Sequence, residues 1–323
     1  MNLEILGWSP YFSEQFEPFA SEGLIAGRVA HETRGVCRVW TETGEIDAAT
    51  PGRLRRAALD RGELPAVGDW VAVDTSAGAM ATIRAVLERR SAFSRKVAGA
   101  RAERQVVAAN VDTIFLVAGL DGDFNVRRVE RYLTLAWASG ARPVVVLSKA
   151  DVSDDLDARI AEAGGIASGA PVHAVTSERE GGLAALDVYL GPGQTVALLG
   201  SSGVGKSTIV NRLVGGEAQR TSAVREHDSR GRHTTTHREL FLLPSGALLV
   251  DTPGMRELQV WGDGDGLDEA FADVTALSRA CRFSDCRHEG EPGCAVATAL
   301  ADGSLDEARY ANYLTLEREL AHV

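Results

Sequence analysis

The chain has no apolar run approaching the roughly 20 residues needed to span a bilayer. Its first residues, MNLEILGWSPYFSEQFEPF, carry no basic stretch followed by an apolar core. We therefore expect neither a membrane segment nor a secretory leader, and a cytoplasmic location. Cysteine is scarce, with four in 323 residues, and three of them fall between Cys281 and Cys294. Such crowding argues against a disulfide framework and for metal binding in a reducing compartment. Cys37 reads as an isolated reduced thiol. Net positive charge is missing too. A formal charge of −11 excludes a protein coated with nucleic-acid-binding surface. Local basic patches remain compatible with it, because screening confines interactions to about 10 Å. There is no internal repeat and no low-complexity tract.

What is present is enough length for two or three domains, each with its own core. Two basic patches stand out. One runs through Arg84, Arg89, Arg90, Arg95, Lys96, Arg101 and Arg104, and the other through Arg220, Arg225, Arg230, Arg232 and Arg238 with histidines interleaved. Charge runs are usually solvated faces, but the second lies between two of the motifs described below.

Three textures follow one another. In residues 23–92, GLIAGRVAH, GVCRVWT, GEIDAA, VGDWVAVD and ATIRAVLE form five strand-like runs. Five short strands with an intervening polar stretch suit a small barrel of OB type, and an SH3-like barrel fits the same pattern. From Val106 near-continuous apolar runs (VVAANVDTIFLVAG, PVVVL, TVALLG, GALLV) alternate with helical spacing, which predicts a parallel sheet with helical crossovers. From about Leu267 the chain is helical, ending in SLDEARYANYLTLEREL, where Ser304 is expected to open the last helix. The domains expected are 1–105 (an N-terminal segment and barrel), 106–262 and 263–323.

Within the second region Gly200-Ser201-Ser202-Gly203-Val204-Gly205-Lys206-Ser207 matches the phosphate-binding pattern G-x-x-x-x-G-K-[ST]. An apolar strand precedes it, and the helix beginning KSTIVNRLVG, with Thr208 in its first turn, follows. Small residues let backbone N–H groups cradle phosphate oxygens. Lys206 would place a cation between β- and γ-phosphates, and Ser207 a hydroxyl on Mg²⁺. Asp251-Thr252-Pro253-Gly254 ends another buried strand. Asp251 there would hold Mg²⁺ through water, and the Gly254 N–H would approach the γ-phosphate. Between these motifs lies Gly231-Arg232-His233-Thr234-Thr235-Thr236. Thr235 first, and Thr234 next, is expected to sense the γ-phosphate. Met255 stands where many G domains carry a water-positioning glutamine. That leaves His233 as the nearest candidate for the catalytic group, or else a residue that contacts RNA or folds the loop.

Ser148-Lys149-Ala150-Asp151, at the end of PVVVL, looks like the guanine-reading N-K-x-D motif. Asp151 would accept from guanine N1–H and the 2-amino group, donors that adenine lacks. Lys149 would lie along the base, and Thr176-Ser177 would supply a backbone contact to guanine O6. Ser148 replaces the usual asparagine and loses the amide that ties neighbouring loops, a loss of roughly 0.5–1.5 kcal/mol. The order is permuted, because SKAD and Thr176-Ser177 precede the phosphate loop. A parallel sheet tolerates joining old termini and cutting elsewhere. Cys281, Cys286, His288 and Cys294 supply a closed three-sulfur, one-imidazole set suited to one structural zinc.

Together these features resemble the ribosome small-subunit-dependent GTPase A family, through LPAVGDWVAV, QVVAANVD, GSSGVGKST, GRHTTTHREL, DTPGMREL, GCAV and RYANY. The resemblance implies an α/β fold: a circularly permuted P-loop G domain with an N-terminal OB-like barrel and a C-terminal helical zinc-binding domain. It also implies hydrolysis of GTP to GDP with Mg²⁺, faster on the 30S subunit, late in that subunit's maturation. By the same resemblance the barrel and zinc region would contact 16S rRNA, and a monomer is expected. Two alternatives stay open: a permuted GTPase of the large subunit, and an RNA-docking module that rarely cleaves its GTP.

Overall fold

The computed structural model describes residues 1–321 apart from 34, 59, 77, 79, 98–102, 123, 216–237 and 252–263. Its first helix, α1 (Pro10–Ser21), begins with proline in the first turn, where the missing N–H costs nothing. The sequence reading assigned no element to this segment. Its aromatic side chains pack on the barrel: Trp8 meets Trp70 edge-on at 4.7 Å, and Phe12 lies 5.8 Å from the same ring.

The barrel is built from β1 (Ile25–Thr33), β2 (Val36–Thr41), β3 (Gly44–Ala49), β4 (Trp70–Asp74) and β5 (Ala81–Val86). All five expected runs are strands. β1 pairs with both β2 and β4, β2 with β3, β3 with β5 and β5 with β4, so the ring closes. Val29, Val39, Val71, Val73 and Ile83 fill its interior. The excursion between β3 and β4 holds a short helix, α2 (Gly52–Ala57).

A hairpin, β6 (Ala92–Val97) with β7 (Glu103–Ala109), leads out of the barrel and runs through the 105/106 boundary expected from sequence. The central sheet then forms from β8 (Thr113–Gly119), β9 (Arg142–Ser148), β10 (Val172–Ala174), β11 (Thr195–Leu199), β12 (Glu239–Leu242) and β13 (Leu248–Asp251). Its order is β10-β9-β8-β11-β13-β12, parallel except for β12. β8 and β11 are buried along their whole length, as a sheet covered on both faces requires. The crossover helices are α3 (Val126–Ser139), α4 (Leu156–Ile166) and α5 (Lys206–Val214). Asn125 caps α3 by accepting from the Arg128 N–H at 3.0 Å, an ordinary N-cap. Between β10 and β11 the chain forms a 3-10 stretch, Ala184–Tyr189.

Barrel and sheet meet at one backbone pair, His31 with Glu239, and around Arg28. This wholly buried guanidinium donates to Leu6 O, Gly68 O, Asn110 O and Thr195 Oγ1, the last at 2.9 Å. Burial pushes it down to about 10, which leaves it charged at neutral pH.

The C-terminal region comprises α6 (Asp265–Ala270), α7 (Ala272–Arg279), α8 (Ala295–Asp302) and α9 (Glu307–Ala321). It lies against α3 so closely that a side chain at Gly266 would meet Ala138 N at 2.4 Å. From α9, Arg309 donates to buried Glu130 of α3 at 2.6 Å and grips Asp273 with two further bonds. Asn312 donates to the other Glu130 oxygen at 2.6 Å. The residue that caps α9 is Asp306, which accepts from the Arg309 N–H, and not Ser304. Ser304 is held back by the end of α8, where its N–H donates to Asp302 and its hydroxyl to Ala299 O.

Candidate nucleotide site and metal centre

In a parallel sheet, ligand sites gather at the carboxyl ends of the strands, and the expected motifs converge there. The loop Gly200–Gly205 joins β11 to α5, with Gly205 at φ +96°. A side chain at Gly200 would lie 2.4 Å from Val117 O of the neighbouring strand, so the loop needs glycine at that point. Lys206 Nζ donates to Gly200 O at 2.7 Å and to Ser201 O. Val204 is buried beneath the turn, while Ser202, Gly203, Ser207 and Thr208 face solvent.

The SKAD loop, after β9, is fastened to this turn twice. Ser148 Oγ donates to Val204 O at 2.5 Å, and Lys149 Nζ donates to Gly203 O at 2.8 Å. The expected loss of the loop tie at Ser148 is thus corrected in part: the hydroxyl keeps a bond to the phosphate loop that the missing amide was expected to make. Lys149 sits at φ +59°, which swings its side chain over the loop. Its ammonium also pairs with Asp121, at the carboxyl end of β8. Asp151 accepts from Thr176 Oγ1 at 2.6 Å, a bond that holds its carboxyl below the ordinary range. Ser177 follows Thr176 after β10, half-buried.

Asp251 ends β13, in parallel register beside β11. Glu239 stands directly opposite on β12. The Asp251 outer edge meets solvent, yet desolvation first and the Glu239 carboxylate second push its carboxyl up, with Lys206 opposing them. His233, Thr234, Thr235 and Gly254 lie outside the described residues, as does Met255.

Two residues at this edge were missed in the sequence. Asp121 orders Lys149, and Arg128 of α3 donates to Ser201 Oγ at 2.8 Å. Asp121 was findable, since it follows the strand that sheet topology sets beside the phosphate loop; Arg128 had no local signal. The first basic patch also changes meaning. Half-buried Arg89 forms a two-bond pair with buried Asp69, each bond 2.7 Å, and Arg90 pairs with Asp112. Arg84 lies 3.6 Å from Asp74. Arg89 is therefore committed to the fold, while Arg84 and Arg90 stay exposed within their ion pairs.

In the C-terminal region the metal-binding atoms of Cys281, Cys286, His288 and Cys294 all lie within 4.8 Å of one another. His288 Nδ1 is 3.4 Å from Cys294 Sγ and 3.6 Å from Cys281 Sγ, and the two sulfurs are 4.0 Å apart. A tetrahedron with metal–sulfur bonds of about 2.3 Å has edges of about 3.8 Å, so the four fit one zinc ion. Ala297 N donates to Cys294 Sγ at 3.3 Å and Ala295 N to Cys281 Sγ at 3.4 Å. His288 adopts φ +63°, and this left-handed turn brings its ring back to sulfurs on both sides in sequence.

Sheet order, phosphate loop and base-reading loop define a nucleotide-binding G domain with its motifs in circularly permuted order. A family model described as RsgA GTPase matches residues 86–261. The chain is similar over its whole length to the small ribosomal subunit biogenesis GTPase RsgA of Opitutus terrae, with 51% identity and 90% of that protein covered. The RsgA of Syntrophotalea carbinolica is 44% identical over 99% of the chain and 90% of its own length. Among solved structures, YjeQ from Thermotoga maritima is 28% identical with a TM-score of 0.68, covering 92% of this chain and 99% of that one. YloQ, a circularly permuted GTPase, is 25% identical with a TM-score of 0.66, covering 93% and 96%. This chain belongs to the RsgA GTPase family.

Proposed function

We propose that this protein binds the 30S ribosomal subunit and hydrolyses GTP with subunit stimulation, assisting late maturation of that subunit, with 16S rRNA among its contacts. The observation that carries the nucleotide part is the pair of bonds from Ser148 and Lys149 to the phosphate loop. They hold a base-reading loop and a phosphate-reading loop at one edge of the sheet, as guanine nucleotide recognition requires. The ribosomal part is supported by the names of relatives that match the chain end to end.

The backbone of residues 200–205 would bind the phosphates, and Lys206 would leave its two loop carbonyls for phosphate oxygens. Ser207 and Asp251, at the ends of adjacent elements, suit a hard cation and would hold Mg²⁺, which neutralises phosphate charge when bound. Asp151 would accept the guanine N–H groups and Lys149 would cover the ring. Thr176-Ser177 would meet O6. Thr235 or Thr234 would sense the γ-phosphate and Gly254 would donate to it. His233 would position water in place of the glutamine absent at Met255. Cys281, Cys286, His288 and Cys294 would hold one structural zinc. The chain acts as a monomer in the cytoplasm.

The test is GTP turnover by the full chain with and without purified 30S subunits, with 50S subunits as control. Stimulation by 30S alone is expected. Stimulation by 50S alone would replace the partner, and tight GTP binding with no stimulation by either would make the chain a docking module. In the same assay Asp151→Asn is expected to move preference from guanine toward xanthine nucleotides.

A further inference from the structure

Apolar surface is concentrated at the amino-terminal end of the molecule. Met1, Ile5 and Tyr11 are exposed within the first eleven residues, whereas the other large exposed apolar side chains are scattered singly. Beside them a groove of about 640 Å³ opens between α1 and the barrel. Leu3, Trp8, Phe16 and Leu24 give it an apolar floor. Ser13, Phe16, Glu17 and Ala20 line it from α1 at spacings of three and four, so one helix face forms the wall. The opposite wall is the turn at Thr41–Thr43 together with the start of β1. Trp8 is fixed there because its Nε1 donates to Ser13 Oγ at 2.8 Å.

The rim carries three carboxylates against one nearby cation, the N-terminal ammonium, which donates to Thr41 O and Glu42 O. Glu14, Glu17 and Glu42 all border the groove and are exposed. No arginine or lysine lines it. None of the three glutamates forms an ion pair among the described residues. An apolar trough whose rim keeps a net negative charge matches an occupant with bulky apolar side chains flanked by cations. It does not match RNA, whose phosphates the same carboxylates would repel. Nor does it match a second copy pairing groove to groove, because two acidic rims would then face each other.

We propose that this groove docks a Lys/Arg-rich protein segment that inserts one or two large apolar side chains between α1 and the Thr41–Thr43 turn. The segment belongs to a protein of the small ribosomal subunit, and in that respect the proposal rests on the functional reading above.

Two measurements test it on the full chain with purified 30S subunits. In the first, 30S affinity is compared between the unaltered chain and E14K/E17K/E42K, together with Ala20→Arg, which fills the groove from an exposed helix position. Each variant is expected to bind at least about tenfold more weakly at moderate salt, with GTP turnover in the absence of subunits unchanged. Equal affinity overturns the groove while leaving the ribosomal reading standing; no binding by the unaltered chain removes both. In the second, a photo-cross-linking side chain replaces Thr43 and the adduct in the 30S complex is identified by mass spectrometry. A basic peptide of a small-subunit protein is expected. Adducts to rRNA, to a second copy or to this chain itself, or none at all, overturn the proposal.

Discussion

Two arginines, Arg28 wholly buried and Arg309 nearly so, fasten the G domain to its neighbours, and they do so by different chemistry. Arg28 joins the barrel to the first residue of β11 through four neutral oxygens, with no carboxylate in hydrogen-bond contact. Arg309 joins the C-terminal helices to α3 through two carboxylates, one of them buried. Burial pushes the Glu130 carboxyl up, and the Arg309 and Asn312 bonds oppose it. Desolvation likewise works against the Arg309 guanidinium, but its two carboxylates win and hold it above its ordinary value. The two halves of that pair thus differ in direction of benefit. We take the pair as one that is costly to break and of modest net worth, since well-packed apolar groups can replace such pairs. The lesson lies in what a deletion leaves behind. Removing Arg309 strands a buried negative charge; removing Arg28 strands only neutral acceptors.

The largest effect should therefore come from Arg309→Met, with a loss of about 3–5 kcal/mol in denaturant unfolding, mostly recovered in the double variant with Glu130→Met. If the single and double variants unfold alike, the stranded-charge explanation is wrong. Arg28→Met should cost less, about 1–3 kcal/mol, and should lower the affinity for GTP only slightly. A cost above that of Arg309→Met would reverse the comparison.

Chelation would sharpen the contrast from the other side, because a zinc ion held by Cys281, Cys286, His288 and Cys294 would reinforce the C-terminal junction alone. Removing one zinc per chain should expose residues 264–321 to protease while the barrel stays protected. A metal content of zero in the purified protein would defeat the assignment. The smallest expected effect lies at neither junction. Ser148→Ala removes the bond to Val204 O and should weaken GTP binding by about 0.5–1.5 kcal/mol, readable by titration, with unfolding nearly unchanged.

Much of the site was legible because its chemistry is local. The glycines, Lys206 and Ser207 must be contiguous to wrap a phosphate, and SKAD must follow a strand directly. The five barrel strands were legible for the same reason, since period-two alternation is a property of neighbours. Reading failed where the deciding contact was distant. Ser304 looked like a cap until the end of α8 claimed its hydroxyl. Arg89 read as one member of a basic run, but two bonds tie its guanidinium to buried Asp69, twenty residues away.

The sequence by itself determined the family, the permuted order and the four side chains that could hold a metal, since these are spelled by identity and spacing. Only the tertiary structure decided which arginines are fasteners and which are surface. It alone showed that a serine suffices to tie two loops, and that α1 and the barrel leave an acidic groove between them. Those outcomes depend on which groups are brought within about 3 Å and shielded from water, and no short-range pattern of residues encodes that.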